Sequence, residues 1–251
     1  MSKVLLGRAL VVAGIVTGLL ATGIPFAGGS RYVDDGTAAA FLIVLLSLTS
    51  WLPAEIGRDR LAAVAGSAAF GFFLFVPAFF AFDSFGLMEA GAWLGVCTVL
   101  IPIGALLVAD AGSEVTGIDR GPGLLIGTIG LVLLVVGIWL DVGSDGPTYW
   151  NGSSSGHAAG VLLLVLVAAS AALIGAAAHS TRRVGYPAVL LAAATFGFSE
   201  VALVSAAFGD FGSMGAGAWI EACGGVLLLG GIVAPQLVGS SAPAPAPAHV
   251  G

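Results

Sequence analysis

Apolar residues dominate this chain in runs long enough to cross a bilayer, and the polar residues gather in short stretches between them. Eight such runs can be placed, near residues 7–27, 37–54, 61–82, 90–109, 121–140, 157–178, 186–208 and 216–238. Each is bounded by charge, Pro or Gly and has about the length that a hydrocarbon core demands of a helix. The expected fold is therefore all-α, a polytopic transmembrane helical bundle. The first run has Lys3 and Arg8 in front of it. It is read as a retained helix and not as a signal peptide, because the internal repeat needs it.

That repeat is visible in two polar interruptions. Residues 80–97, FAFDSFGLMEAGAWLGVC, align without a gap on residues 206–223, AAFGDFGSMGAGAWIEAC, with ten of eighteen positions identical. Met88 meets Met214, Trp93 meets Trp219 and Cys97 meets Cys223; upstream, AFGF at 69–72 meets TFGF at 195–198. Each copy joins the last two helices of a four-helix unit. The expected domains are 1–115 and 116–239, followed by an extended Ala/Pro tail at 240–251. Units with an even number of helices enter the membrane from the same side. The eight helices are thus expected as two parallel four-helix repeats related by an axis along the membrane normal.

Charge sets the orientation. If the segments alternate, Lys3, Arg8, Arg58, Arg60, Arg120, Arg182 and Arg183 share one side and Arg31 stands alone on the other. By the positive-inside rule, both termini are cytoplasmic and the protein belongs to the cell membrane. The acids lean outward: Asp34, Asp35, Asp83, Glu89, Asp141, Asp145 and Asp210. They keep those loops hydrated and would also concentrate cations near that face.

Composition removes other classes. With 58% apolar and 9% charged residues and a mean hydropathy of +1.08, most side chains must face lipid or other helices. A net charge of −6 argues against nucleic acid as a partner. The expected partners are the lipid bilayer and either other membrane subunits or further copies of the chain. No metal site or cofactor is expected. His157 and His179 lie roughly 33 Å apart along one helix, and there is no Lys beyond Lys3 to form a Schiff base. The G-x-S-x-G form at 152–156 falls in a Ser-rich loop, where no nucleophile elbow is built. No enzymatic constellation emerges.

The candidate site rests on two acids inside apolar runs, Glu200 and Glu221, whose counterparts in the first half are Leu74 and Gly95. Their depths from the outer ends are roughly 12 and 8 Å. Small residues around Glu221 (Gly217, Ala218, Gly224 and Gly225) place it on a helix interface. An intramembrane acid is either a binding site or a protonated, hydrogen-bonded packing group. If both acids face one crevice, they cannot both ionise cheaply, so the pair shares a proton or holds a cation. Secondary candidates are Trp93, Trp219, Glu89 and Asp210, the two tryptophans reading chiefly as an aromatic belt. Tyr149 and Trp150 read as interfacial anchors, Cys97 and Cys223 as small packing residues, and Pro77 and Pro102 as kinks. The Phe-rich third segment reads as packing or lipid-facing surface before it reads as a quinone or carotenoid groove. Two function classes remain. A non-catalytic accessory or scaffold subunit is preferred, because no ionisable relay continues from the glutamates toward the cytoplasm. The other is a small proton- or cation-linked transporter or channel using Glu200 and Glu221.

Overall fold

A computed structural model describes residues 3–50, 56–81, 85–110, 121–142, 148–150, 154–179, 185–206 and 214–238. Among these residues every regular element is a helix. The order is α1 Lys3–Gly23, α2 Gly36–Ser50, α3 Ile56–Phe80, α4 Ala90–Val96, α5 Leu100–Asp110, α6 Pro122–Ile138, α7 Ser154–His179, α8 Gly185–Ser199, α9 Val201–Ala206 and α10 Ala216–Val238. Single tighter turns occur at Tyr32–Asp34, Phe85–Leu87 and Cys97–Val99. Five helical stretches are long and apolar enough to cross a membrane: Lys3–Gly23, Arg60–Phe80, Ala90–Ala109, Gly156–Ala178 and Ala216–Val233. The protein is thus a membrane-embedded helical bundle. Gly36–Ser50, Pro122–Ile138 and Gly185–Ser199 are apolar but shorter.

The expected segments and the observed helices coincide closely, with two internal breaks. Pro102 has no N–H to offer the Thr98 carbonyl, and the chain tightens at Cys97–Val99 between α4 and α5. The Thr98 hydroxyl donates to the Gly95 carbonyl in that turn (2.6 Å). The second break, at Glu200, belongs to the candidate site. The Asp83, Asp145 and Asp210 positions and the Ala/Pro tail lie outside the described residues.

Large aliphatic residues such as Val12, Leu125, Val165 and Val226 face outward, where lipid is the solvent. The interior mixes Ala, Gly and small hydroxyls with large side chains such as Phe72, Phe73, Phe198 and Leu134. Burial is uneven: 72% of the α3 span is enclosed against 28% of α1, so α3 lies central and α1 peripheral. α3 crosses α8 at its middle. A Cβ on Gly71 would run into the Ala194 carbonyl, and one on Gly197 into the Ala68 carbonyl. Backbones approach this closely only where side chains are absent.

Those two contacts are reciprocal, since Gly71 and Gly197, and likewise Ala68 and Ala194, are each 126 residues apart. On one side of the crossing, Ala63 and Leu190 share a small buried cluster. On the other, the Phe75 and Phe198 rings lie 5.4 Å apart. From Ala63 and Leu190 on one side of the crossing to Phe75 and Phe198 on the other, the numbering rises in both helices, so α3 and α8 run in the same direction.

Backbone hydrogen bonds recur at the matching helix ends. Gly91 N–H donates to Pro25 and Gly217 N–H to Asp141, both at 2.8 Å. Glu89 N–H donates to Phe26 (2.9 Å) and Gly215 N–H to Val142 (2.8 Å). Two large buried clusters divide along the chain. One is drawn chiefly from α1–α4 and takes Val204 of α9. The other is drawn chiefly from α6–α10 and takes Val64 and Ala78 of α3.

Candidate functional site

The Ser199 hydroxyl donates back to the Phe196 carbonyl (2.9 Å), three residues upstream. Such back-bonding competes with the helix ladder and bends it. Glu200 follows at the break between α8 and α9, yet its N–H still reaches Phe196 (3.0 Å) and its carbonyl accepts from Val204 N–H (2.8 Å). The distortion is local, and it carries the Glu200 side chain into the bundle, where the residue is 3% exposed. Its Oε1 lies over Gly225 of α10, 2.8 Å from where a Cβ would stand.

Glu221 occupies α10 one turn before Gly225 and is 1% exposed. Its Cγ fills the space that a side chain on Gly137 of α6 would need. Its Oε2 accepts a hydrogen bond from the Tyr149 hydroxyl (3.1 Å). The two acids therefore address one face of α10, a turn apart. Each leaves its Oε1 buried with no hydrogen-bond partner among the described residues. Burying a polar group without a partner costs about 1–3 kcal/mol, and an unpaired charge costs more.

Tyr149 is the residue that sequence reasoning missed. It is buried against Gly160 and Gly156 at the start of α7. Burial pushes its hydroxyl well above its ordinary range, and the Glu221 charge and hydrogen bond push the same way, so it stays a donor at neutral pH. Aromatic neighbours hold the short segment in place. Trp150 stacks on Trp139 (5.1 Å) and faces the His157 ring (6.1 Å). The His157 Nε2 is 2.7 Å from the Trp150 carbonyl. Trp150 does sit among interfacial aromatics, but Tyr149 is turned inward.

The first half shows what this polar cluster replaces. There, Phe73 packs over Gly95, whose Cβ would stand 2.8 Å from the ring, and Tyr32 meets Phe73 edge-on (5.1 Å). At the repeat offset, Phe73 corresponds to Ser199 and Gly95 to Glu221. The aromatic–glycine pair of the first half thus aligns with a hydroxyl-bearing and a carboxyl-bearing residue in the second. The Phe73/Ser199 exchange, next to the Leu74/Glu200 exchange, was the available signal for a larger polar site. Hydroxyls continue along α8: Thr195, one turn before Ser199, pairs with Ser170 of α7 (2.9 Å), both fully buried.

The secondary candidates lie elsewhere. Glu89 precedes α4 and accepts from the Gly29 N–H (2.9 Å), where φ is +82°. Trp93 and Trp219 face outward at 46% and 43% exposure. Cys97 and Cys223 are also exposed, which corrects their reading as buried packing residues. Each cysteine follows its tryptophan by four residues and so shares its outward helix face. Glu221 points to the opposite, inner side of α10. Asp210 lies outside the described residues.

Among the described residues, no group of three or more His, Cys, Asp or Glu is placed to hold a metal ion. Comparison of the chain with models of protein families, with characterised proteins and with solved structures finds no match.

Proposed function

We propose that this chain is a small proton- or cation-linked membrane protein of the transporter or channel class. In this reading it is built as two parallel four-helix units, 1–115 and 116–239, and only the second holds the ion site. One observation carries it: the Oε1 atoms of Glu200 and Glu221 are both buried without a partner among the described residues, that of Glu200 over Gly225, one turn beyond Glu221 on α10. A carboxylate at such depth needs a compensating charge, and no Lys or Arg is buried among the described residues. A proton or a small cation supplies it. The Tyr149 and Ser199 hydroxyls stand beside the carboxylates as neutral oxygen ligands, and the Thr195–Ser170 pair extends hydroxyls one turn further.

The reciprocal Gly71–Ala194 and Gly197–Ala68 contacts, and the repeated hydrogen bonds onto Pro25 and Asp141, support the duplicated architecture. The cation bias of seven to one supports cytoplasmic termini, with the site entered from the outer side beneath Tyr149.

A second reading, an accessory subunit packed against other membrane subunits or a second copy, also has an observation in its favour. Among the described residues, the buried ionisable groups are Glu200, Glu221, Tyr32 and Tyr149, and none continues toward the start of α8. The test is reconstitution in liposomes with an internal pH or sodium indicator. The transporter reading expects the parent protein to dissipate a proton or sodium gradient, and Glu221→Gln to stop it while keeping the parent's fold. A silent parent whose thermal midpoint ignores both pH and cations defeats this reading and leaves the accessory one.

A further inference from the structure

A cavity lies chiefly in the first half, away from the carboxylates. It measures about 250 Å³ and is lined by Tyr32 and five phenylalanines, Phe26, Phe72, Phe75, Phe79 and Phe80. Arg31 and Asp35 stand on its wall, and Val201 of α9 closes another side. An apolar cavity of roughly 150 Å³ admits one benzene ring, so this one has room for a substituted ring and the start of a chain. Phe75, Phe79 and Phe80 are only partly buried. Their rings pack on one another, Phe75 on Phe79 at 5.9 Å and Phe79 edge-on to Phe80 at 5.5 Å, and form an aromatic wall of the cavity.

The polar groups around the cavity decide what fits. The acids are already engaged: Asp35 Oδ1 accepts from the Thr37 and Ala38 N–H groups (3.1 and 3.2 Å). Asp34 Oδ2 accepts from the Arg31 N–H (2.9 Å). What remains to meet a ligand is donors. The Tyr32 hydroxyl is buried and has no partner among the described residues. Burial raises its ionisation range, so the proton stays on it. Arg31 adds guanidinium N–H groups. A fully anionic head would face Asp35, and a lipophilic cation would face Arg31. A neutral head with acceptor oxygens meets neither penalty, and the aromatic walls favour a flat ring.

We propose that this cavity binds an uncharged amphiphile with a flat, carbonyl-bearing ring and an apolar tail, the chemistry of an isoprenoid quinone. The ring lies among the phenylalanines, its carbonyl oxygen accepts from the Tyr32 hydroxyl, and the tail leaves toward lipid. This site is independent of the carboxylate site, and either can fail without the other.

The test uses the full chain in nanodiscs of uncharged lipid, titrated with radiolabelled decylubiquinone, with palmitate and tetraphenylphosphonium as competitors. The expected result is saturable binding that neither competitor displaces at matched concentration. Tyr32→Phe weakens it about fivefold to tenfold, the loss of one hydrogen bond. Val201→Phe, which fills the cavity, weakens it further, and the outward-facing Leu125→Ala leaves it unchanged. Thermal midpoints verify that each variant is folded. Non-saturable uptake, equal affinity in Tyr32→Phe and Val201→Phe, or displacement by palmitate or tetraphenylphosphonium would overturn the proposal.

Discussion

Tyr32 and Tyr149 are each the first tyrosine after the opening helix of their half, and both are buried, yet only Tyr149 has a hydrogen bond to lose. Tyr149→Phe leaves Glu221 Oε2 without its donor, and we expect a loss of about 1–3 kcal/mol. Tyr32→Phe removes a hydroxyl that satisfies nothing and should leave the unliganded protein's stability close to the parent's. Thermal unfolding in nanodiscs compares the two directly. Equal losses would mean that the Tyr149–Glu221 bond contributes nothing. The carboxylates themselves were legible in the sequence because acids inside apolar runs are costly and therefore conspicuous. Tyr149 was not, because a Tyr-Trp pair in an outer connection also describes an interfacial anchor. Its partner lies 72 residues away, a pairing that only the packing of α10 beside α6 reveals.

At the scale of the helices, the apolar runs and their bounding polar residues placed the helices to within a few residues, and five of the stretches have the length and hydropathy of a membrane span. The break at Glu200 was not readable, because it depends on whether the Ser199 hydroxyl turns back to Phe196 or outward. Nor was the exposure of Cys97 and Cys223, since a four-residue spacing from Trp fixes a shared face without saying which way that face points. The crossing of α3 and α8 is the element-level contact most open to test. Gly71→Val and Gly197→Val each push a branched side chain into the opposing backbone, and overpacking of this kind costs about 1–3 kcal/mol or more. If the halves are equivalent about the crossing, the two substitutions should destabilise by similar amounts. A large loss from one and none from the other would contradict that equivalence.

For the whole molecule, the proposal joins a symmetric frame of two four-helix units to an asymmetric site. The frame predicts one topology. Single cysteines at Ser154 and in the 240–251 tail, with Cys97 and Cys223 replaced, should be labelled from opposite sides of the membrane; labelling from the same side would defeat the eight-helix arrangement. The site predicts that ion chemistry is confined to the second half. The most direct measurement is infrared difference spectroscopy of the reconstituted protein across a pH step, and again on adding sodium or potassium at fixed pH. The account predicts carboxyl bands that respond to at least one of these changes, altered in Glu200→Gln and in Glu221→Gln and absent from the double variant. Carboxyl bands that respond identically in the parent and the double variant would contradict it, because the titrating acids would then lie elsewhere.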